Sequence, residues 1–375
     1  MNRRHFLPLA TTAVAGTAAL GYYAWDQAAL TADRRRENEP VRPLPRNVLP
    51  IDARQILHLA SLAPSGHNTQ PWSVHLLAPY HWVVGIDPAR WLPVVDPTQR
   101  ETMLSLGAFA QNLEYAAAHF GYLCHWQLRA TSLQAAEVLE VDLKRGAAAA
   151  YADVDALVRR RTLQTGFAAV PVQPADIQFL IGGDGAHCHF FPPASAEGRY
   201  LTAATLAANQ QQVARDDAQG ELAHWVRWNR AAVQQHRDGL TAAGMGINGV
   251  AGWAVRHFYD SASVLTPDFR QRGLAKTTAQ LAAHGGWLIL TSPNQSPAAL
   301  LDAGRHLERL WLKARSRNVA VHPMSQLLEE TPGTAGAARH LGLSEPVQFV
   351  LRLGYPGHYP EPVSVRRPVE WFVRA

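Results

Sequence analysis

Cysteine is scarce in this sequence. Cys124 and Cys188 are the two it has in 375 residues, and no CxxC pair occurs. That excludes a disulfide scaffold, a zinc ribbon and a dithiol redox centre, though one disulfide between the two is allowed. Charge is also sparse, at 17% against 47% hydrophobic residues. That excludes a disordered chain and provides for a large core. No long Lys/Arg stripe interleaved with aromatic residues is present, which speaks against nucleic acid as a partner despite a net charge of +5. Much of the positive charge sits in three arginine clusters, at residues 34–36, 159–161 and 366–367. Clustered guanidinium groups suit a bound phosphate or small anion. The length corresponds to two or so domain-sized units.

The N-terminus reads as a targeting segment. Arg3 and Arg4 precede Phe6 and Leu7, and an apolar run extends over residues 6–25. A charged start before an apolar stretch is the pattern of an export signal. The paired arginines followed by Phe-Leu resemble a twin-arginine signal, which implies recognition by the export machinery and delivery of a folded, cofactor-loaded protein. No clear A-x-A cleavage site follows. The run is about long enough to span a bilayer, so it is either cleaved or kept as an anchor. The expected location is the periplasm or the outer face of the cytoplasmic membrane. The alternative is a buried N-terminal helix with a chance arginine pair. Residues 1–30 are thus signal or anchor, and the charged, proline-containing residues 31–48 are a linker.

The remainder predicts an α+β chain. A helix begins near Asp52, a candidate N-cap, and stops at Pro64. "SVHLLA" and "HWVVGID" are strands, and a long helix runs from Glu101 to Gly121. Two more strands complete a first half, residues 49–150. The second half, residues 151–375, opens with the helical "VDALVRRRTLQTGF" and continues with alternating helices and strands. Among them are "GELAHWVRWNRAA" as one helix, "GWLILTSP" as an apolar strand and "PVQFVLRLGYP" as a closing strand. The long helices of the two halves match in kind. Each has an early glycine, Gly107 and Gly304, with leucine at the same offset, Leu113 and Leu310. This reads as a diverged internal duplication.

The stretch "APSGHNTQPW", residues 63–72, is too varied for a plain loop. With its flanks it resembles the APSxxNxQPW signature of the FMN-dependent nitroreductase family. "GAFAQNLEYAAAHFGY" resembles that family's central helix, "RRRTLQTGF" its phosphate-binding segment, and "RLGYP" with "VRRPVEW" its closing segment. The four motifs span most of residues 52–372. Their order resembles the duplicated, Acg-type branch, in which one chain imitates the family's dimer. The resemblance implies a nitroreductase-like fold of two diverged repeats, a monomeric pseudo-dimer, and one FMN where the family's dimer has two. The second half has no Ser-Asn-Gln-Pro set at the matching place. The chain also departs from the family pattern at Gln164 and Thr165, where arginines are usual.

The chemistry of these residues agrees with such a ligand. Arg160, Arg161 and Thr162 offer planar donors and a hydroxyl to a phosphate, with Arg366 and Arg367 as further candidates. Ser65, Asn68 and Gln70 offer hydrogen bonds to a flavin edge, while Pro64, Pro71 and Trp72 shape its wall. Each has a plainer reading: Trp72 as a core anchor, Gln70 bonding the backbone of its own turn, residues 159–161 as a solvated helix face. No catalytic residue is named, because a flavin supplies the chemistry itself. "HCHFF" sets His187 and His189 on one side of a strand, too few ligands for a metal site. The glycine-rich residues 238–270 form either a lid over the site or a linker between helices. Two functions follow. One is an FMN oxidoreductase passing electrons from an unidentified donor to a small oxidised acceptor. The other is a flavin-binding protein that stores or sequesters FMN without turnover.

Overall fold

The computed structural model describes residue 24 and residues 49–146, 154–183, 185–330 and 333–374. The arginine pair at 3 and 4, nearly all of the apolar run 6–25 and the linker 31–48 therefore lie outside the described residues. No helix among the described residues is long and apolar enough to cross a membrane.

The architecture is mixed α/β. Helix α1 (Ile51–Ala60) leads through residues 61–71 into the hairpin β1 (Trp72–Ala78) and β2 (His81–Ile86). Then come α2 (Arg100–His119), β3 (Tyr122–Leu128) and β4 (Glu137–Arg145). The N-cap of α1 is Pro50 rather than Asp52. The Asp52 carboxylate instead accepts hydrogen bonds from Tyr80 Oη at 2.9 Å and Tyr122 Oη at 2.6 Å, tying the helix to the sheet. Both cysteines are free thiols.

The second half begins with α3 (Val154–Arg159), which ends before Arg160. Residues 160–165 are neither helix nor strand and are held by Tyr359 Oη on the Arg161 carbonyl and by Arg352 on the Gln164 carbonyl at 2.6 Å. Helix α4 (Pro174–Ile181), strand β5 (Cys188–Phe191) and helix α5 (Ala196–Ala214) follow. The single helix expected over residues 220–232 is instead two. These are α6 (Asp216–Trp225) and α7 (Arg230–His236), because Val226 and Arg227 form strand β6 and pair with β7 (Leu240–Thr241). The glycine-rich segment carries α8 (Gly249–Phe258) and leads into α9 (Pro267–Leu281). Next are β8 (Gly286–Thr291), α10 (Pro297–Ser316), β9 (Ala320–Pro323), α11 (Gln326–Glu329) and α12 (Gly333–His340). Strand β10 (Val347–Gly354), the turn α13 (Val369–Phe372) and strand β11 (Val373–Arg374) end the chain.

Two sheets result. One is ordered β11-β1-β2-β4-β3 and the other β5-β8-β10-β9. All six residues of β8 are buried, as its unbroken apolar character requires. The halves interlock. Strand β11, from the chain end, adds parallel to β1. Leu300, Leu301, Val369 and Phe372 share one core with α1, α2 and the first sheet. Helices α2 and α10 cross where Gly107 meets Gly304. A Cβ on Gly107 would lie 2.2 Å from the Leu301 carbonyl oxygen, and one on Gly304 would lie 2.0 Å from that of Leu104. Only hydrogen allows backbones this close.

Candidate functional site

Past the end of α1 the chain makes an unusual turn. His67, Asn68 and Gln70 all have positive φ, between 47° and 55°. Three non-glycine residues in the left-handed region are sterically costly and persist only where the surroundings fix them. Ser65 Oγ accepts from Gln70 N at 3.0 Å. Asn68 Nδ2 donates to the carbonyls of Gly239 and Val365, and Asn68 Oδ1 accepts from Arg366. Gln70 is fully buried, with Nε2 donating to the Arg237 carbonyl at 2.9 Å and Oε1 accepting from Arg367 N at 2.8 Å. The side chains of Asn68 and Gln70 are thus spent on holding the loop.

The loop forms one wall of a cavity of about 260 Å³. Pro64, Ser65, Asn68, Arg160, Arg161, Thr162 and Arg366 all line it, although they come from three distant parts of the sequence. Gln70, Pro71 and Arg367 do not line it. Arg367 is 1% exposed and lies behind the loop, donating to the carbonyls of Gln70 at 2.5 Å and Trp72 at 2.6 Å and pairing with Asp87 at 3.3 Å. Trp72 is fully buried against Phe109. Leu62, Leu104, Leu307, Trp311 and Phe349 give the cavity an apolar wall. Gly239, Leu240, Thr241 and Gly244, from the expected lid, line it too, whereas Val250 and Phe258 of α8 are exposed.

The basic groups of the cavity are under tension. Arg160 is 6% exposed, and its Nη2 donates to the Leu62 carbonyl at 2.7 Å. Arg366 donates to the carbonyls of Leu62 and Ala63, capping the exit of α1. Both share one carboxylate, Glu308, fully buried on α10. Its Oε1 lies 3.1 Å from Arg160 Nε without hydrogen-bond alignment. Burial pushes the Glu308 carboxyl up, and Arg160 opposes the shift. Burial, reinforced by Arg160, brings Arg366 down to about 9. Arg160 Nη1 has no hydrogen-bond partner. A surplus of buried positive charge with an unused donor is the state an anionic ligand group would relieve.

Among the lining residues that had no part in the sequence-based expectation are Glu101, His67, His322 and Ser325. Burial lowers His67 to about 4 and His322 well below its ordinary value, so both are neutral. His67 stood inside the recognisable loop, and its spacer position hid it. At "HCHFF", His187 bonds Glu345 at 2.8 Å and Cys188 Sγ lies 3.4 Å from His306 Nε2. No cluster of metal-ligating residues occurs among the described residues.

No protein-family model matches the sequence. The chain is similar to "Probable NAD(P)H nitroreductase PigM" of Serratia sp. (strain ATCC 39006). The two are 27% identical over 319 residues, 80% of this chain and 86% of that protein. Among solved structures it is similar to nitroreductase A from Vibrio parahaemolyticus RIMD 2210633. That match has 10% identity and a TM-score of 0.27, over 56% of this chain and 68% of the other, and is too slight to carry an argument.

Proposed function

We propose that this chain is an FMN-binding oxidoreductase of nitroreductase type, acting as a monomer with one flavin and passing electrons to a small oxidised acceptor. The observation that carries the reading is the convergence of residues 64–68, 160–162 and 366 on one cavity, with the buried guanidinium of Arg160 and the half-buried one of Arg366 against one buried carboxylate. Arg160, Arg161, Thr162 and Arg366 would hold the phosphate. Its charge of about −2 at neutral pH matches the local surplus. Pro64 and Ser65, with the apolar wall, would flank the ring. Gln70, Arg367 and Asn68 act one layer behind, fixing the loop. Bound there, FMN supplies hydride transfer. The relative's name suggests a reduced nicotinamide dinucleotide as donor.

The test is an absorption spectrum of purified protein, with flavin released on denaturation counted against native mass. A flavin spectrum and one FMN per monomer are expected. No flavin, with no uptake of added FMN, would overturn the reading, and two flavins per chain would overturn the single-site, pseudo-dimer part of it. Gly239, Leu240 and Gly244 cover part of the cavity, which favours a second reading, FMN storage. Bleaching by NADPH followed by failure of every quinone and nitroaromatic to restore the colour would establish storage. For export, Arg3→Lys with Arg4→Lys keeps the charge and removes the pair. The variant is expected to stay in the cytoplasm, and undiminished export would remove the twin-arginine assignment.

A further inference from the structure

The segment that leads from α7 over the cavity is anchored unevenly. Its first residues are tied down from several sides. Gly239 N donates to the Asn68 carbonyl, and its own carbonyl accepts from Asn68 Nδ2, each at 3.1 Å. Asp238 accepts from Arg90 at 2.6 Å and from Arg227 at 2.5 and 2.8 Å. Leu240 pairs with Val226. The residues that follow form a turn of their own. Met245 N donates to the Thr241 carbonyl at 2.9 Å, and Ile247 N to that of Ala242 at 2.8 Å. The Met245 side chain packs against the cluster of Ala223, Val226, Trp228 and Val264. The turn leans on the arginine segment through Gly246, where a Cβ would lie 3.8 Å from Gln164 Cβ and 3.6 Å from Thr165 Oγ1.

Lys276, half-buried on α9, joins the two sides. Its Nζ donates to Gln164 Oε1 at 3.1 Å and to the Met245 carbonyl. Both partners are neutral oxygens. Burial brings Lys276 down to about 8, so it is mostly an ammonium at neutral pH. Hydrogen bonds from an ammonium are stronger than those between neutral groups. The Gln164 end is fixed, because Arg352 donates to its carbonyl at 2.6 Å. This link stands at a boundary. A second cavity of about 150 Å³ lies beside the first, and Arg161, Thr162, Gln164 and Gly244 line both. Its walls include the exposed Thr165, Asn248 and His358, so it reaches the surface. No carboxylate lines it among the described residues, which suits the passage of an anionic group.

We propose that the second cavity is the entrance to the first for a phosphorylated ligand, and that Lys276 is the positioning residue that holds the partition between them shut. Lifting the turn at 242–247 away from Gln164 joins the two cavities, with the anchored residues 238–240 as the fixed end. A flavin nucleotide then enters phosphate first, past Arg161 and Thr162, which border both spaces. When the turn settles back, Lys276 pins it against the arginine segment and the ligand is enclosed. The identity of the ligand rests on the FMN reading, whereas the gate does not.

The gate is therefore tested first without flavin. Lys276→Met keeps the length of the side chain and removes bonds made only in the closed form. Opening should become about tenfold more frequent, the weight of a charge-assisted hydrogen bond. Amide hydrogen exchange at Met245 and Ile247 should speed up by that factor, with exchange at Gly239 unchanged. A lysine that served overall stability alone would speed all three. With FMN, uptake and release should both rise about tenfold while affinity holds, because the closed form still dominates. A covalent latch gives the opposite change. Gln164→Cys with Gly246→Cys sets two Cβ atoms 3.8 Å apart, a usual separation in a disulfide. Oxidation of that variant should slow FMN uptake and release, and reduction should restore them. If wild-type protein takes up no FMN, the functional reading fails, and the exchange rates still decide the gate. Equal exchange in wild type and Lys276→Met, a rise shared by Gly239, or FMN rates indifferent to either change would overturn the proposal.

Discussion

Two clusters of ionisable side chains border the same cavity, and their imbalances have opposite sign. At the exit of α1, Arg160 and Arg366 share Glu308. At Gly66, Asp96, Glu101 and Glu329 share Arg100. Neither cluster is the kind of balanced pair that a core merely tolerates. The first is incomplete in a way a ligand could answer, by receiving negative charge. Helix α2 carries Arg100 and Glu101, helix α10 carries Glu308, and the crossing of these helices sets the two clusters on one cavity.

The most disruptive way to break the comparison is to push the helices apart. Gly107→Ala would drive a Cβ against the Leu301 carbonyl, and Gly304→Ala against that of Leu104. Overpacking typically costs about 1–3 kcal/mol, and here the obstruction is backbone that cannot rotate away. Either variant is expected to yield little soluble protein, or a fall in midpoint at or beyond that range in denaturant titration. A variant of wild-type stability would show that the crossing is looser than the structure has it.

Next in size is the removal of one charge from the basic cluster. Arg160→Ala leaves Glu308 buried without its nearest partner, a change expected to cost about 3–5 kcal/mol. Adding Glu308→Gln should return a good part of that stability without restoring FMN binding. If the double variant binds FMN as wild type does, Arg160 is a structural partner of Glu308 and nothing more. Denaturant midpoints and FMN titration of the two variants check both halves of the statement.

How far this could be read from the sequence differs between residues. The loop at 63–72 announced itself, because few structures need that many special residues in ten. Their division of labour did not. Arg366 and Arg367 are neighbours, yet in an extended segment successive side chains point to opposite sides, so one reaches the cavity and the other the core. Which side is the cavity depends on Asn68 and Gln70, some 300 residues away. Strand β8 was legible as an apolar run. The break between α6 and α7 was not, because it is caused by pairing of Val226 with Leu240. Glu101 was invisible for a different reason. An acidic residue in a first helical turn is ordinary in any sequence, and only Glu329 and Asp96 beside it make it unusual.

The arginine neighbours allow a sharper cut at the basic cluster. Arg366→Ala should lower FMN affinity at least tenfold, about 1.4 kcal/mol, and riboflavin affinity less, because riboflavin lacks the phosphate. Arg367→Ala should weaken both ligands alike while lowering the denaturation midpoint, since it removes donors from the carbonyls of Gln70 and Trp72. The ratio of FMN to riboflavin affinity is the measurement. Equal ratios in the two variants would mean that Arg366 serves the loop alone.

The smallest expected effect at pH 7 concerns the neutral group between the clusters. His67 lines the cavity, and burial lowers it from 6.5 to about 4. Its folded value lies below its unfolded one, so the unfolded chain takes up the proton first. The neutral imidazole therefore contributes stability above about pH 6.5, and that contribution is lost as pH falls through 6.5 towards 4. Burial also lowers His58, His284 and His322, so the acid limb belongs to several groups. His67→Asn removes one of them and keeps a side chain that tolerates positive φ. The difference in denaturant stability between pH 7 and pH 5 should shrink by about 2 kcal/mol. The single-FMN stoichiometry should be unchanged at pH 7. If the variant loses stability equally at both pH values, His67 matters for packing rather than as an uncharged spacer between the two clusters.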